Sequence, residues 1–155
     1  MYARDSAILA TPIGLILIEG GATVTRITIG GVDEMARRGG SEVIRAAAEQ
    51  LEAYFAGERR DFDLPLAPST TPRGEVLRAA IAAVGYGGTV SYGEVARTIG
   101  SSPRALGQAC RRNPFPIVIP CHRVTGGAGH YSAGEGLATK NWLLNHERHW
   151  SKSNG

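Results

Sequence analysis

Cysteine is scarce in this chain. Cys110 and Cys121 are the only two in 155 residues, too few for a disulfide framework, and a reducing compartment would hold both as thiols. Together with His122, His130, His146 and His149 they show none of the paired spacings of a structural zinc site. No metal and no other cofactor is therefore expected. Long apolar runs are missing too: none reaches the roughly 18 residues that a membrane span needs. The start, Met1-Tyr2-Ala3-Arg4-Asp5, lacks the apolar segment of an export signal, so a cytoplasmic protein that does not engage a membrane is expected. Internal repeats and low-complexity segments are absent as well. What is present, 43% hydrophobic and 20% charged residues, suits a folded chain with a buried core rather than a disordered one. The length fits one domain or two small lobes.

Charge divides the chain more sharply than its net value of +3 suggests. Residues 1–68 hold seven basic and ten acidic side chains, whereas residues 69–155 hold ten basic and four acidic. The second part is thus the one that would attract a polyanion. Pro65 and Pro68, within a stretch from Glu58 to Ser69, mark a linker between the two. The expected domains are an α/β structural lobe over 1–68 and a basic domain over 69–155.

In the first lobe, Ile8-Leu9-Ala10 and Leu15-Ile16-Leu17-Ile18 flank the turn Thr11-Pro12-Ile13-Gly14, and Val24 to Ile29 follows Gly20-Gly21 with Thr25, Ile27 and Ile29 on one face. A small antiparallel sheet fits. Ser41 caps a helix whose Val43, Ile44, Ala47, Leu51, Tyr54 and Phe55 recur at helical spacing and which ends near Gly57. In the second lobe, Thr71 and Pro72 start a helix with Val76, Leu77, Ala80, Ile81 and Val84 as its inner stripe, stopped by Gly85, Gly87 and Gly88. Ser91-Tyr92-Gly93-Glu94 has capping-box spacing and opens a short helix with Val95, Ala96 and Ile99 inward, ending at Gly100. Ser102-Pro103 opens another, which carries Arg104, Arg111 and Arg112. Two short helices across a glycine-containing turn match a helix-turn-helix. The fold class is α+β: a small antiparallel sheet with a helix, then a mostly helical, winged-helix-like domain.

Phe115-Pro116-Ile117-Val118-Ile119 reads as a buried strand that delivers Pro120-Cys121-His122-Arg123-Val124. Cys121 can be a packed core residue. It can also be a nucleophile, since the neighbouring His and Arg and a turn N-terminus all favour thiolate over thiol. Cys110, near Leu106 and Ala109, is read as core, and the tail from Arg148 to Gly155 as polar apart from Trp150 and disordered.

Taken together, Val90-Ser91-Tyr92-Gly93-Glu94-Val95-Ala96, Arg104-Ala105-Leu106-Gly107-Gln108-Ala109, Asn113-Pro114, Ile117 to Val124, Tyr131-Ser132, Gly136 to Lys140, Trp142-Leu143-Leu144 and His146-Glu147 resemble the O6-alkylguanine-DNA alkyltransferase family. The resemblance implies repair by direct reversal, with 69–155 as the DNA-binding and alkyl-acceptor domain and an alkyl group moved once and irreversibly from a guanine O6 in double-stranded DNA to Cys121. It implies His122 as the base that takes the thiol proton through water, Glu147 as the carboxylate that orients His122, and Asn113 as a hinge between the DNA-binding helix and the reactive turn. Flipping of the damaged nucleotide would have Arg104 enter the stack, with Tyr92 crowding the neighbouring phosphate and Ser132 bonding the guanine O6. Ala105 and Gly107 suit close approach to a minor groove, Val124 would accept the exocyclic amine through its backbone, and Arg111 and Arg123 complete the set expected to meet DNA. A monomer with no obligate protein partner is expected. Ala133-Gly134-Glu135 places two more residues after Tyr131-Ser132 than the common family pattern has, with Glu135 read as a surface carboxylate. Three alternatives within reach of the same residues are a damage-binding relative without an acceptor thiol, which Cys121 opposes, an alkylation-sensing regulator, and a turnover Cys-His hydrolase, which would need an oxyanion site for which the sequence offers no separate candidate.

Overall fold

Antiparallel pairing of three strands builds the first half. In the computed structural model, which describes residues 5–126, 131 and 133–153, the strands are β1 (Ser6–Thr11), β2 (Gly14–Gly20) and β3 (Val24–Ile29). Ala7, Ile18 and Ile27 lie in one cross-strand row, and Leu9, Ile16 and Ile29 in the next. All six are buried, and helix α1 (Glu42–Phe55) packs on the same sheet with Ile44, Ala47, Ala48, Leu51 and Tyr54 turned inward. Ser41 caps α1 through its hydroxyl oxygen, which accepts from the Ile44 N–H. One expectation shifts slightly: a bulge opposite Glu19 and Gly20 skips Thr25, which is exposed, and buries Val24 instead. An inserted residue reverses the in-out alternation on its near side. Residues up to Ala67 form this compact unit, and Pro68 onward form a second.

The second unit begins with α2 (Pro72–Ala82), capped by Thr71, whose hydroxyl accepts from the Gly74 N–H at 2.9 Å. Leu77 and Ile81, with Val84 beyond the helix end, point inward, while Val76 stands exposed; an amphipathic stripe of a short helix is narrower than its apolar residue count. Strand β4 (Val90–Ser91) runs directly into α3 (Tyr92–Thr98), and Ser102 caps α4 (Pro103–Arg111). Gly100, at φ 63°, makes the turn between them, completing the helix-turn-helix.

The segment expected as a strand is not one. Residues 114–120 form a series of turns with Ile117 in the left-handed region at φ 75°, yet Phe115, Ile117 and Ile119 are buried. Apolar content alone cannot separate a buried strand from a buried turn. A 3-10 turn over Cys121–Arg123 follows, and β5 (Val124–Thr125) then pairs in parallel with β4. Helix α5 (Leu137–Ser153) closes the unit with Lys140, Leu143, Leu144 and Glu147 on its inner face. It carries the tail from Arg148 as far as Ser153, so that part is helical rather than disordered. No helix among the described residues is long and apolar enough to cross a membrane.

Because Leu51 is fully buried between α1 and the sheet, Leu51→Ala should lower unfolding free energy by about 2–5 kcal/mol. Urea titration followed by far-UV circular dichroism checks this, with an unchanged m-value expected.

Candidate active site

The 3-10 turn decides what Cys121 and His122 can do together. In an extended chain they would point to opposite faces; wound into a single turn, they sit in one buried layer against α5. Asn113, immediately beyond α4, fixes this turn from one side. Its Nδ2 donates to the Ile119 carbonyl at 2.8 Å and to Cys121 Sγ at 3.3 Å, while its Oδ1 accepts from the Phe115 N–H at 2.9 Å.

Glu147 of α5 fixes the other side. His122 Nε2 lies 2.6 Å from Glu147 Oε2, and because an ionised carboxylate only accepts, Nε2 carries the proton. Nδ1 is thereby left with its lone pair, and it has no hydrogen-bond partner among the described residues. Arg123 donates to the same carboxylate twice, Nε to Oε1 at 2.8 Å and Nη2 to Oε2 at 3.0 Å, and its Nη1 donates to the Val84 carbonyl at 2.8 Å. The Gly87 N–H adds a longer contact to Oε1 at 3.3 Å.

Proton affinities follow from this packing. Burial alone would raise the Glu147 carboxyl, but hydrogen bonds from His122 and Arg123, and their charge, outweigh it and bring its pKa down to about 2. Burial pushes the His122 pKa below its ordinary value despite Glu147, so the ring is neutral near pH 7. Burial also raises the Cys121 thiol, against the opposing pull of the Asn113 hydrogen bond and the Lys140 charge. Desolvation thus outweighs the neighbouring polar groups that favour thiolate, and Cys121 rests as a thiol beside a neutral imidazole.

Cys121 lines a cavity of about 640 Å³ whose wall includes Tyr92, Arg104, Gly107, Arg111 and Tyr131. Sequence-selected residues of α3, α4 and the Cys121–Arg123 turn are thereby brought to one space. Cys110 lines it too, its thiol pushed up to about 12 by burial and by Cys121. Ala105 instead faces a second cavity on the other flank of α4. Arg123, counted on sequence among the DNA contacts, is buried and committed to Glu147 and Val84, so it is part of the internal scaffold. Val124 is buried with its carbonyl accepting from Lys140 Nζ at 3.0 Å. Lys140 was legible only as part of a motif, since nothing in its spacing announces a buried ammonium near a thiol. Glu135 is exposed, with its N–H donating to Thr139 Oγ1 at 2.9 Å. Ser132 and His130 lie outside the described residues. Among the described residues no group of three or more His, Cys, Asp or Glu is gathered as metal ligands would be.

Fold and site together define a helix-turn-helix protein with a buried cysteine on a cavity wall and a histidine–carboxylate pair beside it. Residues 73–149 match the model of the 6-O-methylguanine DNA methyltransferase DNA binding domain, and residues 31–68 that of the ribonuclease-like domain of the same proteins. A methylated-DNA–protein-cysteine methyltransferase of Mycolicibacterium paratuberculosis is 42% identical over 91% of this chain and 90% of its own length. One from Methanosarcina acetivorans is 45% identical over 66% of this chain and 68% of its own. The crystal structure of Mycobacterium tuberculosis OGT in complex with DNA superposes with a TM-score of 0.78 at 34% identity, covering 92% of each chain. This chain belongs to the 6-O-methylguanine DNA methyltransferase family.

Glu147 is held well below the ordinary carboxyl value of 4.5, so its contribution to stability is complete above about pH 4.5 and is lost as pH falls towards 2. The stability gap between the parent and Glu147→Gln should therefore shrink by about 2 kcal/mol between pH 7 and pH 3, read from urea unfolding at each pH.

Proposed function

We propose that this chain repairs double-stranded DNA by direct reversal, as a monomer in the cytoplasm, taking an alkyl group from the O6 atom of guanine onto Cys121 Sγ. The observation that carries this reading is Cys121 in the wall of an open cavity, between a helix-turn-helix and a His122–Glu147 pair with the free lone pair on Nδ1. Sulfur attacks the alkyl carbon as the carbon–O6 bond breaks, and that bonding pair stays on the guanine. The thiol proton passes through water to His122 Nδ1, and Glu147 stabilises the imidazolium so formed. A buried, protonated thiol suits this sequence, since proton removal is coupled to transfer. The product thioether has no leaving proton and no route back, so each molecule acts once.

The nucleobase must leave the stack to reach Cys121, at a cost of a few kcal/mol. Arg104 and Tyr92, in the cavity wall, are the groups assigned to filling the gap and crowding the adjacent phosphate, and Ser132 and the Val124 backbone to recognising the base. Gly107 supports close approach of a groove to α4. A Cβ built there meets nothing within 4 Å, so no packing inside the protein requires glycine at a helix position where it costs about 1 kcal/mol.

Mixing with O6-methylguanine duplex should give one methyl per molecule, located by peptide mass spectrometry on Cys121, with product reaching a plateau at the protein concentration. Turnover past one equivalent, or methyl found on Cys110 alone, overturns the reading. Gly107→Ala should raise unfolding free energy by about 0.5–1 kcal/mol while weakening duplex binding. Arg104→Ala should slow transfer from duplex DNA and leave the reaction with free O6-benzylguanine, which needs no flipping, much less affected.

A further inference from the structure

The cavity on the far side of α4 has no part in the chemistry above. It measures about 440 Å³ and shares Gln108 with the Cys121 cavity, so the two hollows flank one helix. Three guanidinium side chains line it, those of Arg73, Arg78 and Arg112, and no carboxylate does. Arg78 is engaged within the fold, 3.7 Å from Glu75 and 5.2 Å from the centre of the Phe115 ring. Arg73 and Arg112 are different: both are exposed, and neither side chain has a hydrogen-bond or ion-pair partner among the described residues. Ser69 and Thr70 add hydroxyls to the wall. A hollow of one charge sign, rimmed by two uncommitted planar donors, is built for phosphate oxygens.

We infer that this second cavity seats the sugar-phosphate backbone of the undamaged strand. The inference rests on the DNA-repair reading. A helix lying in a minor groove, only about 6 Å wide, has one backbone along each flank. The flipped nucleotide enters on the Cys121 side, so the lesion strand runs there with Arg104 and Arg111. The complementary strand then runs along the Ala105, Ala109 and Arg112 side, where Arg73 of α2 reaches it from across the cavity. Such contacts position the duplex without reading its sequence, and they hold the complementary strand in place while its partner is distorted.

The full-length Arg73→Gln/Arg112→Gln double variant tests this by fluorescence anisotropy over a salt series. Duplex affinity should fall roughly tenfold near 0.1 M salt, and the slope of log affinity against log salt should become shallower by about 1.8, two phosphate contacts having been removed. Binding of the lesion strand alone, labelling of Cys121 by free O6-benzylguanine, and the thermal midpoint should all be unchanged. An unaltered duplex affinity and slope would overturn the inference. Equal losses on single strand and duplex would do so too, by placing the lesion strand in this cavity. Inorganic phosphate that binds the parent at micromolar concentration, and not the variant, would make it a small-anion site instead. Should the parent never alkylate Cys121, the repair reading fails on its own, and the benzylguanine arm reports that separately from the salt slope.

Discussion

A single buried carboxylate organises the reactive half of this molecule. Glu147 is fully buried, and a charge in that position is tolerated only if its partners return what desolvation costs. They do so from two segments: the forked Arg123 guanidinium and the His122 ring from the Cys121–Arg123 turn, and the Gly87 N–H from the loop beyond α2. Arg123 also binds the Val84 carbonyl, so α5, the acceptor turn and the end of α2 are tied at one point. The charge that makes this junction expensive to break is the same charge that sets the His122 tautomer. Stability and proton chemistry therefore draw on one group.

That arrangement explains how the site can hold a nucleophile without exposing one. Cys121 is raised by burial and stays protonated, while His122 is lowered by burial and stays neutral. Neither group is reactive alone. A substrate carbon aligned with the sulfur changes the balance, because charge leaving the thiol as a proton is matched by charge developing on the guanine. For a protein consumed by each reaction, a resting thiol also limits loss of acceptor to stray electrophiles in solution, since the thiolate is the reactive form.

Much of the architecture was legible because its determinants are local. Ser41, Thr71, Ser91 and Ser102 each cap the helix they were expected to start, since a side-chain oxygen two or three residues ahead of an amide is a short-range arrangement. Asn113, Cys121, His122 and Glu147 were chosen by resemblance, and the structure gathers them. What the sequence concealed depends on distant partners. The run Phe115–Ile119 reads as a strand until Asn113 folds it into turns, and Arg123 reads as a DNA contact until a carboxylate 24 residues further on claims it. The C-terminal stretch from Arg148 is polar by composition, but it continues the helix that carries Glu147. Thr25 faces outward because it is the extra residue of a bulge opposite Glu19 and Gly20.

If Cys121 is the acceptor proposed above, partners rather than location set it apart from Cys110. Cys110 and Cys121 line the same cavity and are both buried, so access does not distinguish them. Cys110 is pushed up to about 12 by burial and by Cys121, against the pull of the Lys140 charge. Cys121 has, besides Lys140, the Asn113 amide on its sulfur and a backbone hydrogen bond, both of which stabilise developing negative charge. It also follows directly into the 3-10 turn that bears His122. A cavity can bring an alkyl carbon near either sulfur, but charge is supported and a base is supplied at one of them. On the proposed reading, selectivity for Cys121 is accordingly a property of the Asn113 and Glu147 clamps on either side of the turn, and it would survive changes to the cavity wall that leave those clamps intact.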